Sequence, residues 1–124
     1  MTPEAREQLY AAIERYNRGG YFDAQQQLET LYNQIEAADQ ALVRALMMLA
    51  TAMHLHFNRG GGRGVLNLFR QSLVILDDLK PEYDDIATGE LFDALEAYLQ
   101  EVQGRGKPGA GFFDRWLAPK IRYR

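Results

Sequence analysis

The chain has 124 residues, the size of a single domain with room for a hydrophobic core. It contains no cysteine, which excludes disulfides, thiol nucleophiles, iron–sulfur clusters and cysteine-based zinc sites. Residues 104–124 carry six basic and one acidic side chain, a charge of +5, whereas residues 1–103 carry a charge of −8. An acidic body followed by a basic tail is the first indication of where contacts form.

The sequence favours a helical fold, because Leu and Ala together number 31 whereas Val, Ile and Thr number 13. A first helix is expected to begin after Thr2 as N-cap, with Pro3 in its first position. Gly19-Gly20 ends it, and a second helix over 21–35 completes an antiparallel hairpin.

Three further helices are expected over 39–58, 62–79 and from about 88 to 103. The third helix is apolar over the widest arc, so we expect it to be the most buried. Its inaccessible core residues are predicted to be Leu46, Leu49, Ala50 and Met53. The sequence thus predicts an all-α, single-domain bundle of about five helices over 1–103, a flexible Gly/Pro linker over 104–111 and an aromatic, basic C-terminal tail over 112–124.

No apolar run approaches the roughly 18 residues that a membrane span requires. The N-terminal sequence lacks the basic and then apolar regions of a secretion signal. We therefore expect a cytoplasmic protein without a transmembrane segment.

The run from Tyr16 to Ala24, followed by Leu28-Glu29 and Tyr32, resembles the signature F-N-x-G-x-Y-F-E-A-H-E-x-L-E-x-x-W. That signature belongs to the bacterial and archaeal family called domain of unknown function 309. The segment 45–50 is similar to the family block G-L-I-Q-x-A, and 59–65 is similar to its R-G-N-x-x-G-A turn. The resemblance covers about residues 10–102 and implies an all-α bundle with no settled biochemical activity.

The chain departs from that family at its polar positions. Gln25-Gln26 stand where the family has His-Glu, Tyr32 where it has Trp, and Met48 where it has Gln, whereas Glu29 is retained. An amide takes no proton near neutral pH and is a poor metal ligand, so the resemblance implies a reduced pocket. Its candidate residues are Gln25, Gln26, Glu29, Tyr32, Met48 and His54. The favoured alternative is a structural hydrogen bond between Gln25 and Glu29, which lie four residues apart on one helix face.

His54 and His56 are the only histidines, and two residues apart on a helix they point about 200° away from each other. They cannot share one metal ion, so we expect no bound transition metal and no cofactor. His54 is predicted to be packed and His56 to lie at the surface. The acidic pairs Asp77-Asp78 and Asp84-Asp85 lack calcium-loop spacing and are interpreted as a solvated loop.

A glycine-rich turn precedes the fourth helix. Arg59, Gly61, Gly62 and Arg63 form a candidate anion site there, because free N–H groups at a helix start attract anions. A plain interhelical turn is the favoured interpretation, since no Gly-Lys-Ser/Thr motif follows.

Aromatic and basic residues interleave in the tail, and its candidate partner-binding residues are Phe112, Phe113, Arg115, Trp116, Lys120, Arg122 and Tyr123. The tail could fold back on the acidic body, or it could dock on another protein or a second copy, with Trp and Arg as anchors. Binding to nucleic acid or a membrane surface is least favoured, because the body's charge of −8 repels phosphates.

These patterns predict a non-catalytic helical interaction or scaffold module. It would contact a protein partner or a second copy of itself through the tail or an interhelical groove, and a homodimer is expected. The alternative is a small metal- or anion-binding enzyme that retains part of the family's polar pocket.

Overall fold

A computed structural model describes residues 1–59, 62–105 and 118–123, and for residues 59 and 103–105 it describes the backbone alone. It shows a bundle of five helices, which confirms the all-α prediction. The helices are α1 (Pro3–Asn17), α2 (Tyr21–Tyr32), α3 (Ala37–Arg59), α4 (Arg63–Asp78) and α5 (Thr88–Arg105). α1 packs on α2, α2 on α3, α3 on α4 and α4 on α5, so neighbours in sequence are neighbours in space.

The first hairpin begins and turns where the sequence predicts. The Thr2 Oγ1 accepts a hydrogen bond from the Ala5 N–H at 3.1 Å, and Pro3 occupies the first turn of α1. After α1, Gly19 adopts a φ of +88°, which a residue with a side chain adopts at a cost. α2 ends at Tyr32, three residues before the predicted end at 35.

α3 is the central helix of the bundle. Eight of its side chains have no accessible surface: Leu42, Val43, Ala45, Leu46, Leu49, Ala50, Ala52 and Met53. They include the four that the sequence predicts to be inaccessible. Ser72 of α4 is also fully buried, and its hydroxyl donates to the Ala45 carbonyl at 2.9 Å. That bond removes the cost of burying the hydroxyl and fixes α4 against α3.

The connection between α4 and α5 packs against α1. Asp84, at φ +53°, accepts two hydrogen bonds at 2.9 Å and one at 3.1 Å from the Arg6 guanidinium. Asp85 accepts a hydrogen bond from the Tyr10 hydroxyl at 3.1 Å. Asp84 is exposed, as a solvated loop predicts, but the loop is also held in place, because α1 supplies both carboxylates with donors that lie more than 70 positions away in sequence.

α5 continues through Arg105, so the first two residues of the predicted linker over 104–111 are helical. The remainder of that linker lies outside the described residues, as do Phe112, Phe113, Arg115 and Trp116 of the tail. Residues 118–123, which we call the strap, are described.

The strap folds back on the body of its own chain, as one of the alternatives for the tail predicts. Ala118 and Ile121 are buried, with 6% and 2% of their surface exposed. The Ala87 N–H donates to the Arg122 carbonyl at 2.9 Å, and Tyr123 pairs with Ile86 in an antiparallel bridge. The strap thereby joins α1 to the α4–α5 connection.

Candidate functional site

The residues predicted for a polar pocket do not converge on one cavity. Gln25 and Glu29 form a hydrogen bond of 3.4 Å along the surface of α2. Gln26 is exposed in a shallow depression on the same helix. The favoured alternative, a Gln25–Glu29 pair, is thus present, with Gln25 half-buried and Glu29 exposed.

The other predicted pocket residues lie apart from that pair. Tyr32 is half-buried in the last turn of α2, where its carbonyl accepts from the Gln40 amide at 3.2 Å. Met48 lies about 120° around α3 from His54, so the two side chains stand at opposite edges of one side of the helix. The helical register therefore separates residues that the family signature brings together in sequence.

The two histidines occupy different environments. The His54 ring is half-buried, 5.2 Å from the Phe22 ring centroid, with its Nδ1 3.1 Å from the Asn58 amide. The prediction that His56 lies at the surface is wrong, because its Nε2 is buried. The His56 ring makes edge contacts with Phe57 and with Phe69 of α4. It lies three residues after Met53, on the side of α3 that faces the core.

The turn before α4 is only partly described. Gly62 has a φ of +127° and precedes the helix without a side-chain cap, and Arg63 is exposed. Gly61 and the side chain of Arg59 lie outside the described residues. Of the four residues predicted for an anion site, Gly62 and Arg63 are thus described in full, and they form the start of α4.

The groups with displaced pKa values all belong to contacts that hold the bundle together. Burial raises the pKa of Tyr16 well above its ordinary value of 10.0. Hydrogen bonds to Asp39 and Glu14 raise the pKa of Tyr83 and Tyr123. Each of these carboxylates favours the protonated phenol that donates to it. Within residues 1–59, 62–105 and 118–123, no three His, Asp or Glu side chains lie close enough to hold a metal ion.

One surface stands out that the sequence patterns did not single out. The side of α3 opposite its core residues consists of half-buried and exposed side chains that we call the outer face: Met47, Met48, Thr51, His54, Leu55 and Asn58. Residues 45–57 include no Asp, Glu, Lys or Arg. Beside this face, Phe22 of α2 has half of its surface exposed. The missing charges are a signal in the sequence, but a wide apolar arc by itself predicts only burial.

A comparison with protein-family models, curated proteins and solved structures finds no match to the chain. The resemblance to the family called domain of unknown function 309 therefore stays a prediction. Among the helices that the structure describes, none is both long and apolar enough to cross a membrane.

Proposed function

We propose that this chain is a non-catalytic helical interaction module whose contact surface is the outer face of α3. The observation that carries the proposal is the absence of charge over residues 45–57, a stretch about 20 Å long on a helix with a side towards solvent. The solvent side of a helix ordinarily carries charged residues. The face is uncharged, with Met47 and Leu55 partly packed against the core and Thr51, His54 and Asn58 among them. Surfaces on which apolar side chains stay partly exposed are typical of protein contacts.

The polar groups of the outer face are already satisfied within α3. The Thr51 hydroxyl donates to the Met47 carbonyl at 2.9 Å, and the Asn58 amide donates to the His54 carbonyl at 2.8 Å. A partner that covers this face would therefore displace little hydrogen-bonded water. Burying polar groups that keep their partners costs much less than burying unpaired ones.

Phe22 supplies an anchor at the edge of the face. Its ring has 50% of its surface exposed and rests on His54, so it is held in place and still accessible. Aromatic side chains with this combination carry much of the binding energy in protein interfaces. Methionines beside it adapt to the shape of an apolar partner.

The enzyme alternative receives less support, since the Gln25 and Glu29 side chains pair with each other on α2 and Gln26 is exposed in a shallow depression. The proposal places the protein in the cytoplasm and includes a second copy of the chain among the candidate partners.

A photo-crosslinking residue placed at position 51 tests the proposal in the cells that make the protein. We expect a discrete crosslinked product, whose mass tells a second copy from a different protein. The matched control is the same residue at Val74, which is 66% exposed on α4. Adding Met48→Glu should abolish the product, because a carboxylate in an apolar contact is strongly unfavourable. Equal labelling at both positions, or none at position 51, would contradict the proposal.

A further inference from the structure

We infer that the strap is a separable peptide ligand, and that the groove it occupies accepts the same six-residue segment from a second copy of the chain. The groove lies between α1 and residues 86–87 of the α4–α5 connection. It is separate from the outer face of α3.

The groove binds the main chain of the strap. The Asn17 amide makes two hydrogen bonds of 2.8 Å with one strap residue: its Oδ1 accepts from the Ile121 N–H and its Nδ2 donates to the Ile121 carbonyl. The buried Tyr16 hydroxyl donates to the Pro119 carbonyl at 2.9 Å. The Ala87 N–H donates to the carbonyl of Arg122, the residue that follows Ile121. Such contacts recognise an extended backbone and are the basis of strand addition to an open edge.

The groove also selects side chains, at alternate positions. Ile121 and Tyr123 point into the body, whereas Lys120 and Arg122 are exposed. This alternation is the two-residue period of an extended peptide. Ile121 is 2% exposed, so the site that holds it has the size of a branched aliphatic side chain.

Tyr123 adds a second, more specific contact. Its ring stacks on the Tyr10 ring with the centroids 4.3 Å apart and the planes 8° from parallel. Its hydroxyl donates to the Glu14 carboxylate at 2.6 Å. Outside the groove, the Lys120 ammonium donates to the Asn17 carbonyl at 2.9 Å. The site therefore fits an extended peptide with an aliphatic residue and a tyrosine two positions later, preceded by a basic residue.

In sequence, twelve residues separate the strap from the end of α5. A ligand tethered by a linker competes with a free one at an effective concentration in the millimolar range. The free peptide therefore binds well only when the tethered strap is kept out of the groove. Ile121→Asp in the full chain should do this, since its carboxylate would have to enter an apolar site.

The experiment measures binding of a fluorescent peptide with the sequence of residues 118–123. We expect the Ile121→Asp chain to bind this peptide at least tenfold more tightly than the unaltered chain does. The same peptide carrying aspartate at the position of Ile121 should not bind. Adding Asn17→Ala to the Ile121→Asp chain should weaken binding about tenfold or more, whereas Asn33→Ala, at the end of α2, should not change it.

Three results would overturn the inference. The first is a folded Ile121→Asp chain that does not bind the peptide. The second is equal binding by the unaltered and Ile121→Asp chains, which would place the peptide elsewhere. If Ile121→Asp unfolds the chain, the helical circular dichroism signal is measured with added peptide. Its recovery supports the inference, and its failure to recover is the third result that would overturn it.

Discussion

Buried and hydrogen-bonded tyrosines are the residues that tie distant parts of this chain together. Tyr16 and Tyr123 fasten the strap, Tyr10 holds the α4–α5 connection, and Tyr83 donates to Asp39 near the start of α3. In each case the hydroxyl is the donor, so the contact needs a protonated phenol.

These contacts make the stability of the protein sensitive to alkaline pH. The pKa of Tyr16 is raised well above 10.0 by burial, so the native state keeps a proton that the unfolded chain releases near that pH. The native state then binds more protons, and the free energy of unfolding falls as the pH rises above 10.0. We expect the contribution of Tyr16 to the free energy of unfolding, measured with urea, to be constant below pH 10.0 and to decrease above it.

Tyr16→Phe provides the comparison for this pH dependence. The variant should be about 1 kcal/mol less stable near neutral pH, because it loses the hydrogen bond to the Pro119 carbonyl. Its stability should also fall less steeply at alkaline pH, since one titrating group has been removed. An identical slope in the variant and the unaltered chain would show that Tyr16 does not contribute.

At the scale of the helices, two glycines near helix starts offer opposite expectations. Gly64 lies near the start of α4, where a Cβ would meet nothing within 4 Å. Gly64→Ala should raise the free energy of unfolding by about 0.5–1 kcal/mol, because alanine restricts the unfolded chain more and favours the helix. Thermal unfolding followed by circular dichroism measures this gain.

Gly89 lies near the start of α5, and a Cβ there would come within 3.2 Å of the Pro81 carbonyl oxygen. That oxygen also accepts a hydrogen bond of 2.9 Å from the Gly89 N–H, so it cannot move away freely. Gly89→Ala should therefore destabilise the protein. These two predictions are contradicted if Gly64→Ala and Gly89→Ala change the free energy of unfolding in the same direction.

The sequence predicts helices well where local chemistry and apolar spacing act together. Thr2 and Pro3 begin α1 as predicted, and the broad apolar arc of α3 correctly indicates the central helix. The contact of the His56 ring with Phe69 could not be predicted in this way, because it depends on how α3 turns towards α4. The same holds for the Arg6–Asp84 contact, which joins residues 78 positions apart.

For the candidate surfaces, too, local sequence predicts some features, whereas others depend on how the chain folds. The absence of charge on the outer face is visible in the sequence, but only the fold shows that this side of α3 is not covered as its core side is. Asn17 belongs to the segment that resembles a family signature. Its role in holding the strap follows from a contact 104 positions away, so no local pattern predicts it.

For the whole molecule, the strap connects the two ends of the bundle. α1 and α5 are not neighbours in the order of helix packing, and the strap lies on α1 while pairing with residues just before α5. The described fold thus includes contacts between residues that are about 100 positions apart in the sequence. Such contacts close a large loop, which carries an entropic cost that their packing must exceed.

Ile121→Ala measures how much of the global stability the strap carries. Truncating a fully buried isoleucine costs about 2–5 kcal/mol when the surrounding structure stays in place. If the strap is the separable ligand that we infer, it leaves the groove while the helices stay folded, and the loss then cannot exceed the free energy of strap docking. We therefore expect a loss of about 1–3 kcal/mol in urea unfolding, and a clear increase in the hydrogen-exchange rate of the Ile121 amide, which Asn17 protects.

Arg122→Ala is the matched control for this measurement. Its side chain is exposed, and its carbonyl, which accepts from Ala87, is unchanged by the substitution, so we expect a change within about 0.5 kcal/mol. A full loss of about 4–5 kcal/mol for Ile121→Ala would mean that the strap and the helices unfold together as one unit. Equal, small effects of both substitutions would mean that the strap contributes little to stability. A loss between these limits, with faster exchange confined to the strap and its Asn17 contact, is the behaviour of a segment that docks on an already folded bundle.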